Sequence, residues 1–215
     1  NGLARNQVSH AVNSTFRDGE WTHRPPYVRR TMQFQTLQDS STFCSGRMQG
    51  YSVHEATEGS LIVSVSGRIY QVLVEQDFQV RDITPAGDAN PTNLDFAWLR
   101  QASLFTVIQD GSSKPLIFDG STLRRARANE IKPGGAMAFS QGRIWYACKD
   151  SYGRFTHFRA TDLIGVDTNG TAQYQNQDSV LRETENTFLT SGDFTSRADM
   201  GEIRALEIPR MLDTS

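Results

Sequence analysis

The feature that most constrains this chain is a hairpin written twice. Residues 60–74 (SLIVSVSGRIYQVLV) and 137–149 (MAFSQGRIWYACK) each run from one apolar stretch, through a Gly-Arg-Ile-aromatic step, into a second apolar stretch. The step reads Gly67-Arg68-Ile69-Tyr70 in the first copy and Gly142-Arg143-Ile144-Trp145 in the second. β-Branched enrichment with a glycine at the turn specifies hairpins rather than helices. A lone hairpin is marginal in water and buries only one face, so a chain that repeats it has to stack its sheets.

The stretches between the copies read the same way. Phe78–Ile83 looks like a third strand after the first hairpin, and Pro85–Asn93 is a loop. Ala97–Val107 suits either helix or strand. Asp110-Gly111 and Asp119-Gly120 bracket Leu116-Ile117-Phe118 as successive turns, so Ser103–Asp110 with Pro115–Asp119 forms a second hairpin. Pro133-Gly134-Gly135 is a tight connection into the third hairpin, Met137–Ser140 with Ile144–Cys148, which Arg154–Arg159 continues. Later runs are Thr187–Leu189 and Ile203–Ile208.

The modules begin near Ser60, Ser103 and Met137, close to the ~40–50 residues of a four-stranded propeller blade. A further first strand at Glu202–Ile208 requires an insertion, placed at Thr161–Asp178. The recurrent step and the absence of a helix-period segment predict an all-β fold, a β-propeller-like array of antiparallel meanders. A β-sandwich or barrel built from the same hairpins is the alternative. The expected domains are residues 1–58, an N-terminal extended arm and irregular β region, and 59–215, the propeller-like domain. In the first, Asp18-Gly19 is a turn, Pro25-Pro26 bars a helix, and Gln38–Thr42 is a loop. The chain lacks an initiator Met and stops after a strand-like run, so either processing or incomplete coverage of a larger protein is expected.

Charge narrows the function. Lys and Arg number 22 against 24 Asp and Glu, which argues against a dominant polyanion-binding role. The dense basic cluster, Arg124-Arg125-Ala126-Arg127, suits a solvated strand end better than a nucleic-acid site; Arg29-Arg30 is the other basic pair. Cys44 and Cys148 stand far apart, as thiols in a reducing compartment do, with one long-range disulfide as the alternative. No stretch approaches the ~20 apolar residues of a membrane span and no signal segment opens the chain, so a soluble protein is expected.

Motifs that would carry chemistry are weak. His10, His23, His54 and His157 offer no short-spaced metal pair, and His54-Glu55 is followed by Glu58 where the zinc-protease signature needs a histidine. There is no Gly-x-Ser-x-Gly elbow and no phosphate-binding loop, since no Lys-Ser/Thr follows Gly134-Gly135. Asp167-Thr168-Asn169-Gly170-Thr171 alternates oxygen side chains, but its Gly falls at position four rather than six, and position twelve is Asp178 where the calcium loop needs Glu. Carboxylates suited to glycoside cleavage abound (Asp77, Asp82, Asp95, Asp110, Asp119, Glu130, Asp162, Glu183, Glu185), yet no pair stands out and no Asp-box repeat occurs. The reading is non-enzymatic, with no cofactor and no metal. Aromatics and arginines crowd the N-terminal arm. Trp21, Arg24, Pro25, Pro26 and Tyr27 are therefore candidate subunit contacts, packing onto the chain's own sheets being the alternative.

Three segments carry a family resemblance. They are Gln7–Asn13 leading through Arg17-Asp18-Gly19 to Thr22-His23-Arg24-Pro25; Met137–Ala147 followed by Phe158–Gly165; and Glu183–Phe194 with Gly201–Leu206. Together, over about half the chain, the sequence resembles the large β-rich virion proteins of short-tailed bacteriophages, including the propeller-bearing tail nozzle and tail-tube proteins. The resemblance implies a structural tail subunit in a homo-oligomeric ring around the DNA exit channel, joined to an adaptor or portal, with DNA passing without sequence recognition. It implies a place in the virion tail after assembly in the host cytoplasm, and offers no catalytic residues to carry over. From a different class, a carbohydrate-binding or glycan-cleaving propeller engaging the host surface is the alternative.

Overall fold

The computed structural model describes residues 14–17, 20–23, 30–56, 59–164, 183, 193–195 and 201–207. The chain forms two compact units, Asn1–Thr31 and Met32–Ser215. In the first, β1 (Ser14–Arg17) pairs antiparallel with β2 (Glu20–His23), Phe16 standing opposite Trp21. The Asp18-Gly19 turn lies outside the described residues.

The second unit is all-β apart from one short helix among the described residues. Its first sheet holds β3 (Gln33–Phe34), β4 (Met48–His54), β5 (Ser60–Val65), β6 (Arg68–Leu73) and β7 (Gln79–Asp82) in the order β3-β7-β6-β5-β4, with β3 parallel to β7. The helix α1 (Leu37–Ser45) links β3 to β4. The second sheet is a meander of β8 (Trp98–Ala102), β9 (Phe105–Gln109), β10 (Leu116–Phe118) and β11 (Leu123–Arg125). The third is another, of β12 (Met137–Ser140), β13 (Arg143–Lys149), β14 (Phe155–Ala160) and β15 (Asp193–Thr195).

The sheets are layered, and their side chains show how. Ile62 and Ile69 of the first sheet pack with Ile108, Leu116 and Phe118 of the second. From the opposite face of the second sheet, Phe105, Val107 and Ile117 pack with Met137, Ile144, Tyr146 and Cys148 of the third. The middle sheet is thus covered on both sides, and β9 and β10 are buried at every position. A strand buried on both faces reads as a continuous apolar run rather than an alternating one, as Leu116-Ile117-Phe118 does. On the far face of the first sheet, Val63, Val65, Tyr70, Val72 and Val80 are covered by Phe34, Phe78 and Phe43 of α1. The Phe43 ring meets Tyr70 edge-on at 5.0 Å.

The written-twice hairpin keeps its local geometry in both copies. Ser66-Gly67 and Gln141-Gly142 are two-residue loops with φ of 47° and 80°, and of 51° and 72°. Positive φ at both central residues is what the hairpin-compatible type I′ turn demands. The arginine after each glycine opens the return strand, and the isoleucine after it is fully buried. The likeness extends to a third strand: the Ile69 N–H donates to Thr84 Oγ1 at 2.8 Å, and the Ile144 N–H to Thr161 Oγ1 at 3.0 Å.

The two copies nevertheless occupy different places. The first is β5–β6, the second and third strands of its meander; the other is β12–β13, the first and second strands. The meanders therefore begin at Met48, Trp98 and Met137, not at Ser60, Ser103 and Met137. The echo repeats a turn chemistry rather than a position in a repeat. For the same reason the first sheet reaches back into the 1–58 region: β4 pairs along β5, and the break between compact units falls after Thr31.

Other differences are local. Gln38–Thr42, expected as a loop, lies inside α1, whose start is fixed by Thr36: its Oγ1 accepts the Asp39 N–H at 3.0 Å and donates to Asp39 Oδ2 at 2.7 Å. Ala97–Val107 resolves into β8, a turn and β9. Of the Glu202–Ile208 strand, residues 202–207 are described and carry no strand, although the Ile203 N–H donates to the Phe155 carbonyl at 2.7 Å. Thr187–Leu189 lies outside the described residues, as does the 165–178 part of the expected insertion.

Candidate functional site

The expected subunit contacts come first. Trp21 belongs to β2, while Arg24, Pro25, Pro26 and Tyr27 lie outside the described residues, as does the calcium-like run Asp167–Thr171. Arg124 and Arg125 of the arginine cluster are bound into the fold, while Arg127 is exposed. Arg124 grips Glu130 with two nitrogens, at 2.7 and 2.8 Å, and the Glu130 side chain is wholly buried. Arg125 reaches the Asn90 Oδ1 at 2.7 Å, the Lys114 carbonyl at 2.6 Å and the Asp88 carbonyl, tying the long 83–97 loop to β11. These guanidinium groups are spent on holding the second sheet's outer edge, a use that composition cannot distinguish from a nucleic-acid patch.

A cleft of about 720 Å³ opens at one end of the layer between the second and third sheets. Three chain segments wall it. The turn after β9 gives Gly111 and Ser112; the connection into β12 gives Lys132 and Pro133; the β13–β14 hairpin gives Cys148, Lys149, Asp150, Ser151, His157 and Arg159. Cys148 and His157 are cross-strand partners, so hairpin register brings them to one face. The pairing slips by a residue beside them, between Cys148 and Lys149.

The charges here have definite partners. Asp150 Oδ1 accepts the N–H groups of Tyr152 and Arg154, both at 2.9 Å. Its Oδ2 takes Arg154 Nε at 3.2 Å and Thr156 Oγ1 at 3.2 Å. Led by the Arg154 N–H, these bonds hold the Asp150 carboxyl below the usual carboxylate range. Arg159 Nη1 lies 3.5 Å from Glu183 Oε2, and the Tyr146 hydroxyl donates to Glu183 Oε1. Burial raises Glu183 above the ordinary carboxylate value and pushes the Tyr146 hydroxyl upward too. Lys149 lies over the Phe155 ring, 5.1 Å from its centre. Comparison with protein-family models, curated proteins and solved structures finds nothing that matches this chain.

A second groove, of about 630 Å³, lies where the first strands of the three meanders come together. Ser52, Val53 and Glu55 line it from β4 and its end, Arg100, Gln101 and Ser103 from β8 and its turn, and Phe139 from β12. Backbone proximity explains it: the Ala97 N–H donates to the Gln49 carbonyl at 3.0 Å, and a Cβ on Gly50 would strike the Ala97 carbonyl. Only glycine lets β4 and the start of β8 approach so closely.

Other candidates are bound within the fold. His54 is fully buried between the first two sheets, its Nδ1 2.9 Å from Thr106 Oγ1 and its ring edge-on to Phe118. Asp82 is bound by Arg68 and Asp95 by Arg47, while Asp110 and Asp119 cap their own turns. Glu185 lies outside the described residues. Among the described residues no three His, Cys, Asp or Glu side chains cluster to hold a metal, and no helix is long and apolar enough to cross a membrane. Both thiols are unbridged, Cys44 exposed and Cys148 buried.

Sequence reasoning missed the cleft because it sought short-spaced histidines. The Cys148–His157 juxtaposition depends on the register of β13 against β14, and Lys132 arrives from a separate connection.

Proposed function

We propose that this chain is a non-enzymatic structural subunit of the tail of a short-tailed bacteriophage. In this reading its meanders are blades of a propeller-like array, in a homo-oligomeric ring through which DNA passes, attached to an adaptor or portal. One observation supports the radial reading above the others. Three consecutive meanders are layered in chain order, and β8 lies against both β4 and β12, so the first strands gather on one side. Radial stacking brings first strands together in this way, and it leaves only short edges. The near-neutral charge suits passage of DNA without the multi-phosphate attraction of a basic lumen. The family assignment itself rests on the sequence resemblance.

Imaging of the purified protein tests the reading directly: rings of fixed symmetry are expected, and the chain should be found in virions. A strictly monomeric protein absent from particles would overturn it. The Trp21–Tyr27 arm is proposed as the lock between neighbouring subunits. Deleting residues 1–30 should block ring formation while the circular dichroism of the β fold stays unchanged; rings that form normally would remove the arm from this role.

A further inference from the structure

We propose that the cleft between the second and third sheets is a binding site for a phosphate group, free or within a nucleic-acid strand. The inference stands on geometry and charge, independently of the tail reading. At about 720 Å³ the cleft falls within the range of small-molecule sites.

Its charges do not cancel. Asp150 has both oxygens filled by its own hairpin, and Arg154 Nη2 stands 3.1 Å from Oδ2, so its negative charge is neutralised in place. Arg159 is matched by Glu183. Lys132 and Lys149 remain, entering from different segments, and among the described residues neither ammonium forms an ion pair with a carboxylate. Glu183 lies near enough to Lys132 to feel its charge, but its oxygens are engaged by Tyr146 and Arg159. Behind Ser112, the Asp110 carboxylate accepts the Ser112 hydroxyl and the Ser112 and Ser113 N–H groups, so one negative charge stands against the two ammonium groups. Among the described residues the surplus is therefore positive, with the His157 ring as a further polar group on the wall.

The type of donor selects the type of anion. A planar carboxylate is best matched by the two-pronged guanidinium, and the one arginine on the wall already faces a carboxylate. Ammonium groups are point charges that can approach from separate directions, which suits a tetrahedral oxyanion surrounded on several sides.

The test is calorimetric titration of the full chain with inorganic phosphate near pH 7 at low ionic strength. One saturable site is expected. Each of Lys132→Ala and Lys149→Ala should weaken it about tenfold, the contribution of one charge-assisted hydrogen bond. Lys114→Ala, outside the cleft, should leave it unchanged. Alkylation of Cys148, read by mass spectrometry with Cys44 as internal reference, should slow in phosphate. That measurement uses the unaltered protein and does not depend on a variant folding. A short oligothymidylate distinguishes the sources: competition with phosphate, with a steep salt dependence, assigns the site to a nucleic-acid strand. Phosphate binding without such competition assigns it to a free phosphate or small phosphate ester. Absence of saturable binding together with unchanged Cys148 alkylation overturns the proposal, and so does binding that both lysine variants retain.

Discussion

Between the first and second sheets, buried polar side chains are interleaved with aliphatic ones: His54, Ser60, Ser64, Gln71 and Thr106 stand beside Ile62, Ile69, Ile108 and Phe118. Between the second and third, the apolar cluster is larger, and Tyr146 directs its hydroxyl to Glu183. The first seam is therefore keyed by directional bonds, of which His54–Thr106 crosses from sheet to sheet. The second is crossed by one buried bond, from Gln109 Nε2 to Met137 Sδ at 3.2 Å, but is held mainly by volume and ends in charge. Directional bonds specify alignment and leave little net energy, whereas close apolar packing supplies energy with less demand on alignment.

Truncating the matched isoleucines probes this difference most strongly. Ile69 and Ile144 follow the same turn and are both fully buried, yet face different seams. Each change to alanine should cost about 2–5 kcal/mol in urea unfolding, with Ile144→Ala at the upper end because its cluster is larger. The reverse order would show that the polar seam is the better packed.

The turn glycines give a smaller contrast. Gly142→Ala should cost about 1–2 kcal/mol from its positive φ, with Leu163 Cδ2 3.3 Å from the added methyl able to yield. Gly67→Ala should cost more, since the same methyl would run into the Asn90 backbone carbonyl. Equal losses would mean that the 83–97 loop moves aside freely.

Acid should act on the seams in opposite senses. Burial lowers His54 below its ordinary 6.5, with Asp119 pulling weakly the other way. The unfolded chain then takes up this proton first, so stability falls as pH drops from 6.5 through the lowered folded value. Glu183 is raised above 4.5 by burial, so its contribution is complete below 4.5 and is lost as pH rises through the raised folded value. Unfolding midpoints measured across pH for His54→Leu and Glu183→Gln should each lose one of these slopes. Unchanged profiles would mean that neither group titrates with folding.

The strands that sequence reveals most clearly are those buried on both faces. Leu61–Val65 and Leu116–Phe118 are apolar runs that only a layered sheet accommodates. The first strands of the meanders are harder to read. Met48–His54 and Trp98–Ala102 lie at sheet edges, with Tyr51 and Val53 exposed and Arg100 and Gln101 half-buried, so their composition does not separate strand from loop. That is why counting from the clearer hairpins shifts the start of the first two meanders. The helix α1 buries no residue fully and is marked only by the Thr36–Asp39 cap. As for the cleft, its walls come from three segments that no local pattern connects, and Cys148 and His157 each look solitary along the chain.

The position of α1 gives the layers a direction. Phe43 lies over the outer face of the first sheet. A further sheet laid on that face would have to rest on a helix, a joint unlike the two between the sheets.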